Sequence, residues 1–315
     1  MIRGRTSLGA ATLLLALLSG AGGAVAAERS TLPDFSAALA AALAGEGRSP
    51  EAVGERESAF ATSGMMTAAG LVQTPRGSIA VFALLPPRPR GTIILMHGYL
   101  SAADRFAPLA RLFARSGWVV VAPDLPGHGD SYGPRYTVAS FAEYGDCVGA
   151  VAAACSGELP RPLVGVGHSL GSLSLVDAIA RHPGPNGGVD PGFDALLLVC
   201  PLTRSSWWPF VRASAFLTRP FFPIMPFTDI PVSWVDGLAA WRAAAPSLPP
   251  RPTRCLVVIS ALDMAVDVAD SRRLLGTLLP EARFETIAGI GHWEIEKTEP
   301  SPRLASTLLD FLGGL

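Results

Sequence analysis

The sequence predicts an α/β fold, a mostly parallel sheet with helices on both faces and a short helical cap inserted after the middle of the chain. Three observations carry that expectation. Short, continuously apolar runs alternate with segments of helical period, the signature of parallel strands buried on both faces. Most runs stop at glycine, proline or aspartate, the residues that turn a chain. One stretch of about 50 residues, Pro201 to Arg254, breaks the alternation and is crowded with aromatics. The chain has 315 residues, 49% apolar and 16% charged, enough for one large α/β domain with a substantial core. Its formal net charge of −1 gives no electrostatic case for nucleic acid, and no zinc-finger spacing or basic-aromatic stripe supplies one.

The elements follow in chain order. Arg3 and Arg5 precede an apolar run, Ala10 to Leu18, and then the small residues "SGAGGAVAA". Ala24-Val25-Ala26 suits signal peptidase, so residues 1–26 read as a signal peptide with cleavage near Ala26. The apolar run is short for a membrane span of about 20 residues. The composition, rich in Ala, Gly, Pro and Arg, suggests a bacterial chain exported to the periplasm or the medium. Residues 27–60 read as an exposed N-terminal extension with an alanine-rich helix near 34–44. Residues 61–315 hold the main domain, with the cap at about 201–254.

Within that domain "GSIAVFALLP" and "GTIILMHG" are strands, and "FAPLARLFARSG" is a helix ended by glycine. "WVVVAPD" is a strand, "VASFAEYGDCVGAVAAAC" a helix, "PLVGVG" a strand and "SLSLVDAIARHPG" a helix. "DALLLVCP" and "RCLVVIS" are strands on either side of the aromatic insertion. "ADSRRLLGTLL" is a helix, "ARFETI" a strand, and "PRLASTLLDFLGG" closes the chain as a helix. Cys147 and Cys155 lie about 12 Å apart along one helix, too far to pair. Cys200 and Cys255 belong at opposite edges of the sheet. A Cys155–Cys255 bridge is geometrically conceivable, but four buried free thiols are the expectation.

The chemistry centres on "LVGVGHSLGS". Ser169 lies between Gly167 and Gly171 where a strand ends and a helix begins. In a parallel sheet ligands gather beyond the carboxyl ends of the strands, and a G-x-S-x-G in this strand–turn–helix context marks a nucleophilic serine. A serine needs a base to take its proton. His292, in the glycine-rich loop "GIGHWEIE" after the last strand, has the reach and the late position that the order Ser…Asp…His requires. His97, His128 and His168 read as loop-shaping residues, and His182 as solvated at a helix end. The base needs an acid. Asp263 follows the strand "RCLVVIS" in its turn, whereas Asp267 is placed to cap the next helix. Asp124 and Asp130 read as loop hydrogen-bonders. Developing charge on a carbonyl oxygen needs donors. The backbone N–H of Leu170 supplies one and that of Tyr99, after the strand "TIILMHG", supplies the other.

Together these motifs resemble the α/β-hydrolase superfamily, in its monoacylglycerol lipase and lysophospholipase group, a fold shared by serine aminopeptidases. The resemblance rests on "HGYLSAADRF", "PDLPGHGDS", "GHSLG", "SALDMAVD" and "GIGHWEIEKTEP", in that order over roughly residues 65 to 315. It implies a triad of Ser169, Asp263 and His292, and oxyanion donors at Tyr99 and Leu170. The chain departs from the family pattern at Ala261 and Leu262, where glycine and an acidic residue often precede the aspartate. The cap matches no pattern.

The implied activity is a serine carboxylic ester hydrolase working through an acyl-enzyme, with no metal or cofactor. Monoacyl lipids are the leading substrates, because nine large aromatics between Trp207 and Trp241 suit an acyl chain and transient contact with a membrane surface. The competing reading packs those rings into the cap's own core. A peptidase or amidase would need an acidic anchor, and Asp229 and Asp236 do not make an obvious one. A perhydrolase, a small-ester esterase and a non-catalytic binding protein use the same fold. Dehalogenase and epoxide hydrolase chemistry is disfavoured, because those relatives carry aspartate at the nucleophile position.

Overall fold

The structure, a computed structural model, describes residues 32–44, 55–155, 157, 159–181, 191–225, 228–296 and 298–315. The export signal and its cleavage site, His182 and Phe227 lie outside the described residues. Among the described residues no helix is long and apolar enough to cross a membrane.

The chain runs α1 (Phe35–Leu43), α2 (Glu55–Ser58), β1 (Met66–Thr74), β2 (Gly77–Leu85), β3 (Gly91–Met96), α3 (Ala107–Arg115), β4 (Trp118–Pro123) and α4 (Ala142–Cys155). It continues with β5 (Leu163–His168), α5 (Leu170–Arg181), β6 (Ala195–Val199), α6 (Trp208–Thr218), α7 (Val232–Ala244), β7 (Cys255–Ser260), α8 (Val268–Leu278), β8 (Ala282–Ile287) and α9 (Pro302–Gly313). The eight strands form one sheet in the order β1-β2-β4-β3-β5-β6-β7-β8. β1–β2 and β2–β4 are antiparallel, and every pair from β4 to β8 is parallel. This is the predicted architecture.

The strands alternate between two buried layers. Ile94, Met96, Val119 and Val121 join a core with α1, α4, α5, α7 and α8. Ile93, Leu95, Trp118 and Val120 face a second core with α3 and α9. That period of two across continuously apolar runs is what a sheet covered on both faces requires. Leu197 is fully buried in β6, and removing such a side chain costs about 2–5 kcal/mol. The strand order reverses at β3, which lies between β4 and β5, so a crevice opens at the carboxyl ends there. Ser169 immediately follows β5 at that edge.

Two expectations are corrected. β1 was not among the expected strands: "MTAAGLVQT" is too rich in small and polar residues to stand out as a strand. Gly70 explains the small residues, since a Cβ there would meet the Phe35 backbone at 2.4 Å, where α1 crosses the sheet. The segment before residue 60 is only partly exposed where it is described. Phe35, Leu39 and Ala42 share one face of α1 and are buried, and Phe60 is buried in the opposite core, stacked on Phe82. Asp34 caps α1 by accepting from Ala37 N–H, and Asp34 bridges to Leu71 beside it. Arg56 donates to Asp104, Asp124 and Asp130 at 2.6–3.0 Å, tying α2 to the loops after β3 and β4.

All four cysteines are buried free thiols. Cys255 pairs in register with Leu196 at the amino ends of β7 and β6, and Cys200 follows β6 at the other edge. Burial pushes the Cys155 thiol up to about 12. Between β6 and β7 the cap consists of α6, α7 and connecting turns.

Candidate active site

The elbow holding Ser169 is tight. Ser169 adopts φ +52°, a left-handed conformation that costs a non-glycine residue free energy. The neighbouring glycines explain how the turn closes. A Cβ on Gly167 would lie 2.5 Å from Ser172 N, and one on Gly171 would lie 2.3 Å from Met96 O. The strained residue is clamped on both sides: Ser169 N–H donates to Val199 O at 3.0 Å, and Ser169 O accepts from Leu202 N–H at 3.1 Å.

Three predicted residues meet here from three loops. Ser169 Oγ lies 3.1 Å from His292 Nε2, and His292 Nδ1 lies 2.8 Å from Asp263 Oδ2. A carboxylate only accepts, so Nδ1 carries the imidazole proton and Nε2 is free to accept from the serine hydroxyl. The other carboxylate oxygen, Asp263 Oδ1, accepts from Ala265 and Val266 N–H, each at 2.9 Å. Burial works to raise the Asp263 pKa, but His292 and these backbone donors hold the carboxyl below its ordinary value. The acid is therefore ionised and oriented. Asp267 sits elsewhere, capping α8 through Asp270 N–H and pairing with Arg204.

The predicted donors flank the serine. Leu170 is the first residue of α5, so its N–H belongs to the unpaired first turn of a helix. On the other side, His97 accepts from Leu125 N–H through Nε2 at 2.9 Å and so donates through Nδ1 to Gly98 O at 2.7 Å. Gly98 C=O and Tyr99 N–H share one planar peptide, so the histidine fixes the direction of both. Burial lowers the His97 pKa and keeps the ring neutral. The Tyr99 ring stacks on Trp234 of α7 with centroids 3.9 Å apart, and its hydroxyl donates to Tyr136 O at 2.9 Å.

His128 shapes its own loop through a local hydrogen bond, as expected, whereas His168 bonds to the backbone of His292, 124 residues away. His128 Nδ1–H donates to Pro126 O at 2.9 Å. Burial first, and then the neighbouring His97, push its pKa down to about 3. Asp124 accepts from Ala103 N–H and Asp130 N–H as well as from Arg56. Asp130 is the third acid held by Arg56. Sequence reasoning missed Arg56 and the buried Glu296. The only hint of Glu296 is its spacing, four residues past His292.

Among the described residues, Cys200, Asp263 and His292 bring ligand atoms within 4.8 Å of one another. They are poorly set up for a metal. Asp263 and His292 are hydrogen-bonded to each other, and burial raises the Cys200 pKa, which keeps the thiol in the form that does not ligate.

The cap aromatics divide. Trp234 and Trp241 are buried, with N–H groups donating to Tyr144 Oη at 3.2 Å and Asp177 Oδ1 at 2.9 Å. Trp207, Phe210, Phe216, Phe221 and Phe222 face solvent, with Phe216 at 70% and Phe221 at 76% exposure. Those five rings are not packed into the cap's own core. Leu262, Met264 and Trp293, adjacent in sequence to Asp263 and His292, are also exposed.

The family model for serine aminopeptidase, S33, matches residues 87–235. A monoacylglycerol lipase of Mycolicibacterium smegmatis is 33% identical over 97 residues, covering 30% of this chain and 35% of that protein. A phospholipase of Bacillus subtilis is 34% identical over 99 residues, covering 31% of this chain and 38% of that protein. The aligned stretch therefore spans little more than a third of these curated relatives. Among solved structures, the monoacylglycerol lipase of Paleococcus ferrophilus superposes with a TM-score of 0.60 at 20% identity, over 76% of this chain and 98% of that one. An α/β hydrolase from a Penicillium species gives 0.62 at 17% identity, over 79% and 98%.

Proposed function

We propose that this α/β hydrolase, a relative of the monoacylglycerol lipases and phospholipases, cleaves carboxylic esters through an acyl-enzyme on Ser169. The supporting observation is the unbroken chain Ser169 Oγ, His292 Nε2, His292 Nδ1, Asp263 Oδ2, with separations of 3.1 and 2.8 Å. In this reading Ser169 Oγ attacks the ester carbonyl while its proton passes to His292 Nε2. Asp263 stabilises the imidazolium that forms. The oxyanion is met by the N–H groups of Leu170 and Tyr99. His292 returns the proton to the leaving alcohol, then takes one from water as the hydroxide attacks the acyl carbonyl, and gives that proton back to Ser169 Oγ as the acid departs. A serine-directed fluorophosphonate should label the wild-type protein and should not react with Ser169→Ala. Labelling of Ser169→Ala at the wild-type rate would overturn the assignment.

The substrate we propose is a monoacyl lipid presented at a membrane surface, a lysophospholipid or monoacylglycerol. Support comes from the exposed rings of α6 and the following turn, and from Leu262, Met264 and Trp293 beside the triad. Large apolar side chains left exposed on both the cap and the loops beside the triad favour a contact with something apolar. The discriminating measurement is kcat/KM for nitrophenyl esters from acetate to laurate below their micelle concentrations, alongside lysophospholipid and aminoacyl substrates. Peak activity at acetate, or turnover of the aminoacyl substrate alone, would replace the lipid with a small ester or an amide.

We also propose export. Arg3, Arg5, the apolar run and Ala24-Val25-Ala26 support a cleaved signal. The mass of the mature chain should place its first residue at or near Ala27, whereas an intact N-terminus in the membrane fraction would indicate a retained anchor.

A further inference from the structure

The base loop, from the end of β8 to α9, has no strand or helix of its own around His292. Something else must hold His292 within reach of Ser169. Four side chains contact the base loop, from the ends of β7 and β5 and from the loop after β3. Ser260, at the end of β7 on the acid's strand, donates through Oγ to Ile290 O at 2.5 Å. Ser101, in the loop after β3, donates to Glu296 Oε2 at 3.1 Å, and Arg105 lies 3.5 Å from the same oxygen. His168, the residue before the nucleophile, donates through Nε2 to the backbone oxygen of His292 itself at 2.7 Å. This last contact joins the side chain of the residue before the nucleophile directly to the backbone of the base.

His168 is built into this position. It is 1% exposed, its ring centroid lies 4.8 Å from that of His292, and Phe106 packs on its far side at 5.5 Å. A carbonyl only accepts, so Nε2 carries the proton and Nδ1 is the bare nitrogen. Nδ1 has no hydrogen-bond partner among the described residues and faces Glu296 Oε1 at 3.8 Å. Gly98 is required there, since a Cβ would come within 2.9 Å of Nδ1. Burial first, then the neighbouring His292, push the His168 pKa down to about 3. The ring therefore stays neutral beside a base that becomes cationic in each half-reaction.

We propose that His168 is a positioning residue for His292: its Nε2–H holds the base's backbone so that His292 Nε2 meets Ser169 Oγ, with Glu296 bracing the same loop from the Ser101 side. The proposal rests on the triad reading above. It asks for more than a buried ring, because it assigns the effect to one donated hydrogen bond. A misplacement of about 1 Å at a reacting group costs on the order of 100-fold in rate.

The test compares His168→Gln, whose amide N–H reaches about as far as Nε2, with His168→Asn, one carbon shorter, and with His168→Ala. Fluorophosphonate labelling rate reads serine activation without substrate binding, while kcat, KM and Tm are measured on the same samples. We expect labelling and kcat of His168→Ala and His168→Asn to fall about 10- to 100-fold, with KM within about twofold. His168→Gln should recover to within about threefold of wild type at a Tm similar to that of His168→Asn. Equal rates for Gln and Asn, or a wild-type labelling rate in either Asn or Ala, would overturn the proposal. If His168→Ala fails to fold, the Gln and Asn pair still decides. Absence of labelling in the wild type would instead remove the triad reading, and this proposal with it.

Discussion

The catalytic edge of the sheet and the cap above it are held in opposite ways. At the edge, every loop that carries a proposed catalytic group is pinned by hydrogen bonds to another such loop: Ser260 to Ile290, His168 to His292, Ser101 to Glu296. In the cap, α7 buries Val232, Trp234, Val235, Leu238 and Trp241, while α6 buries only Ala215. The two cap helices are similarly apolar in sequence, so composition does not separate them. Partners do: the two tryptophans of α7 each donate to a buried acceptor, whereas Phe210 and Phe216 of α6 stand in water. Hydrogen bonds are concentrated where the proposed chemistry would occur, and the rings of α6 are left exposed.

The largest effect should come from disturbing the pinned edge. Asp263→Asn keeps the shape but favours the wrong imidazole tautomer, and turnover should fall on the order of 10³- to 10⁴-fold. Asp267→Asn keeps a side-chain oxygen that caps α8, loses only the charge paired with Arg204, and should leave turnover close to wild type. Steady-state kinetics on both variants checks this, and reversed results would move the acid to Asp267.

Next comes the tie between α2 and the edge. Asp124 is fully buried and held by Arg56. Burial opposes ionisation of Asp124, yet the hydrogen bond and charge of Arg56 keep its pKa below the ordinary value. Removing one partner of a buried pair costs about 3–5 kcal/mol, so Arg56→Met should lose about that much at pH 7. A carboxyl whose folded pKa is depressed stabilises the fold above its unfolded pKa, about 3.9, and loses that contribution as pH falls through the folded value. The unfolded chain is common to both proteins, so the gap should be full above the folded pKa of Asp124 in Arg56→Met, which burial raises once Arg56 is gone. It should close as pH falls from there through the wild-type value. Denaturant titrations across that range measure the gap, and a gap independent of pH would show that Arg56 acts through packing alone.

A third variant probes a place where cap and edge touch. Trp234 stacks on Tyr99, whose backbone N–H we assign to the oxyanion. Trp234→Ala should cost about 3 kcal/mol, the low end for a buried aromatic, because it lies at the margin of the core. It should also lower kcat with little change in KM. A full stability loss with unchanged kcat would separate the cap from the oxyanion loop.

Much of this was legible in the sequence because the signals are local. Ser169 is announced by Gly167 and Gly171, whose missing Cβ atoms the elbow requires, and the strands by uninterrupted apolar runs. Asp263 and His292 could be chosen by chain order and by their place after strands. What was not legible depends on partners distant in sequence. β1 is masked by small residues that let α1 cross at Gly70, and the grip of Arg56 on Asp124 spans 68 residues. The cap failed for a related reason. Nine aromatics look alike as letters, and only the packed structure tells Trp234, with Tyr144 beneath it, from Phe216, with nothing above it.

The smallest effect belongs to α6 and appears only when a surface is supplied. Phe216→Ser with Phe221→Ser removes two exposed rings and should change stability by no more than about 0.5 kcal/mol. Turnover of a short ester free in solution should be unchanged as well. On vesicles the outcome differs. Full burial of a phenylalanine side chain gains about 1.5–3 kcal/mol, and a ring entering only the interface realises a fraction of that. At half, the pair is worth about 1.5–3 kcal/mol, or roughly ten- to a hundred-fold in partitioning at 1.4 kcal/mol per decade. Co-sedimentation with phospholipid vesicles gives the partition coefficient, and hydrolysis of a lysophospholipid within them gives the functional loss. The loss should not depend strongly on salt, because the contact proposed is apolar rather than ionic. If the double variant binds vesicles as wild type does, α6 is not the membrane-facing surface. The contrast with α7 would then need another apolar partner to explain it.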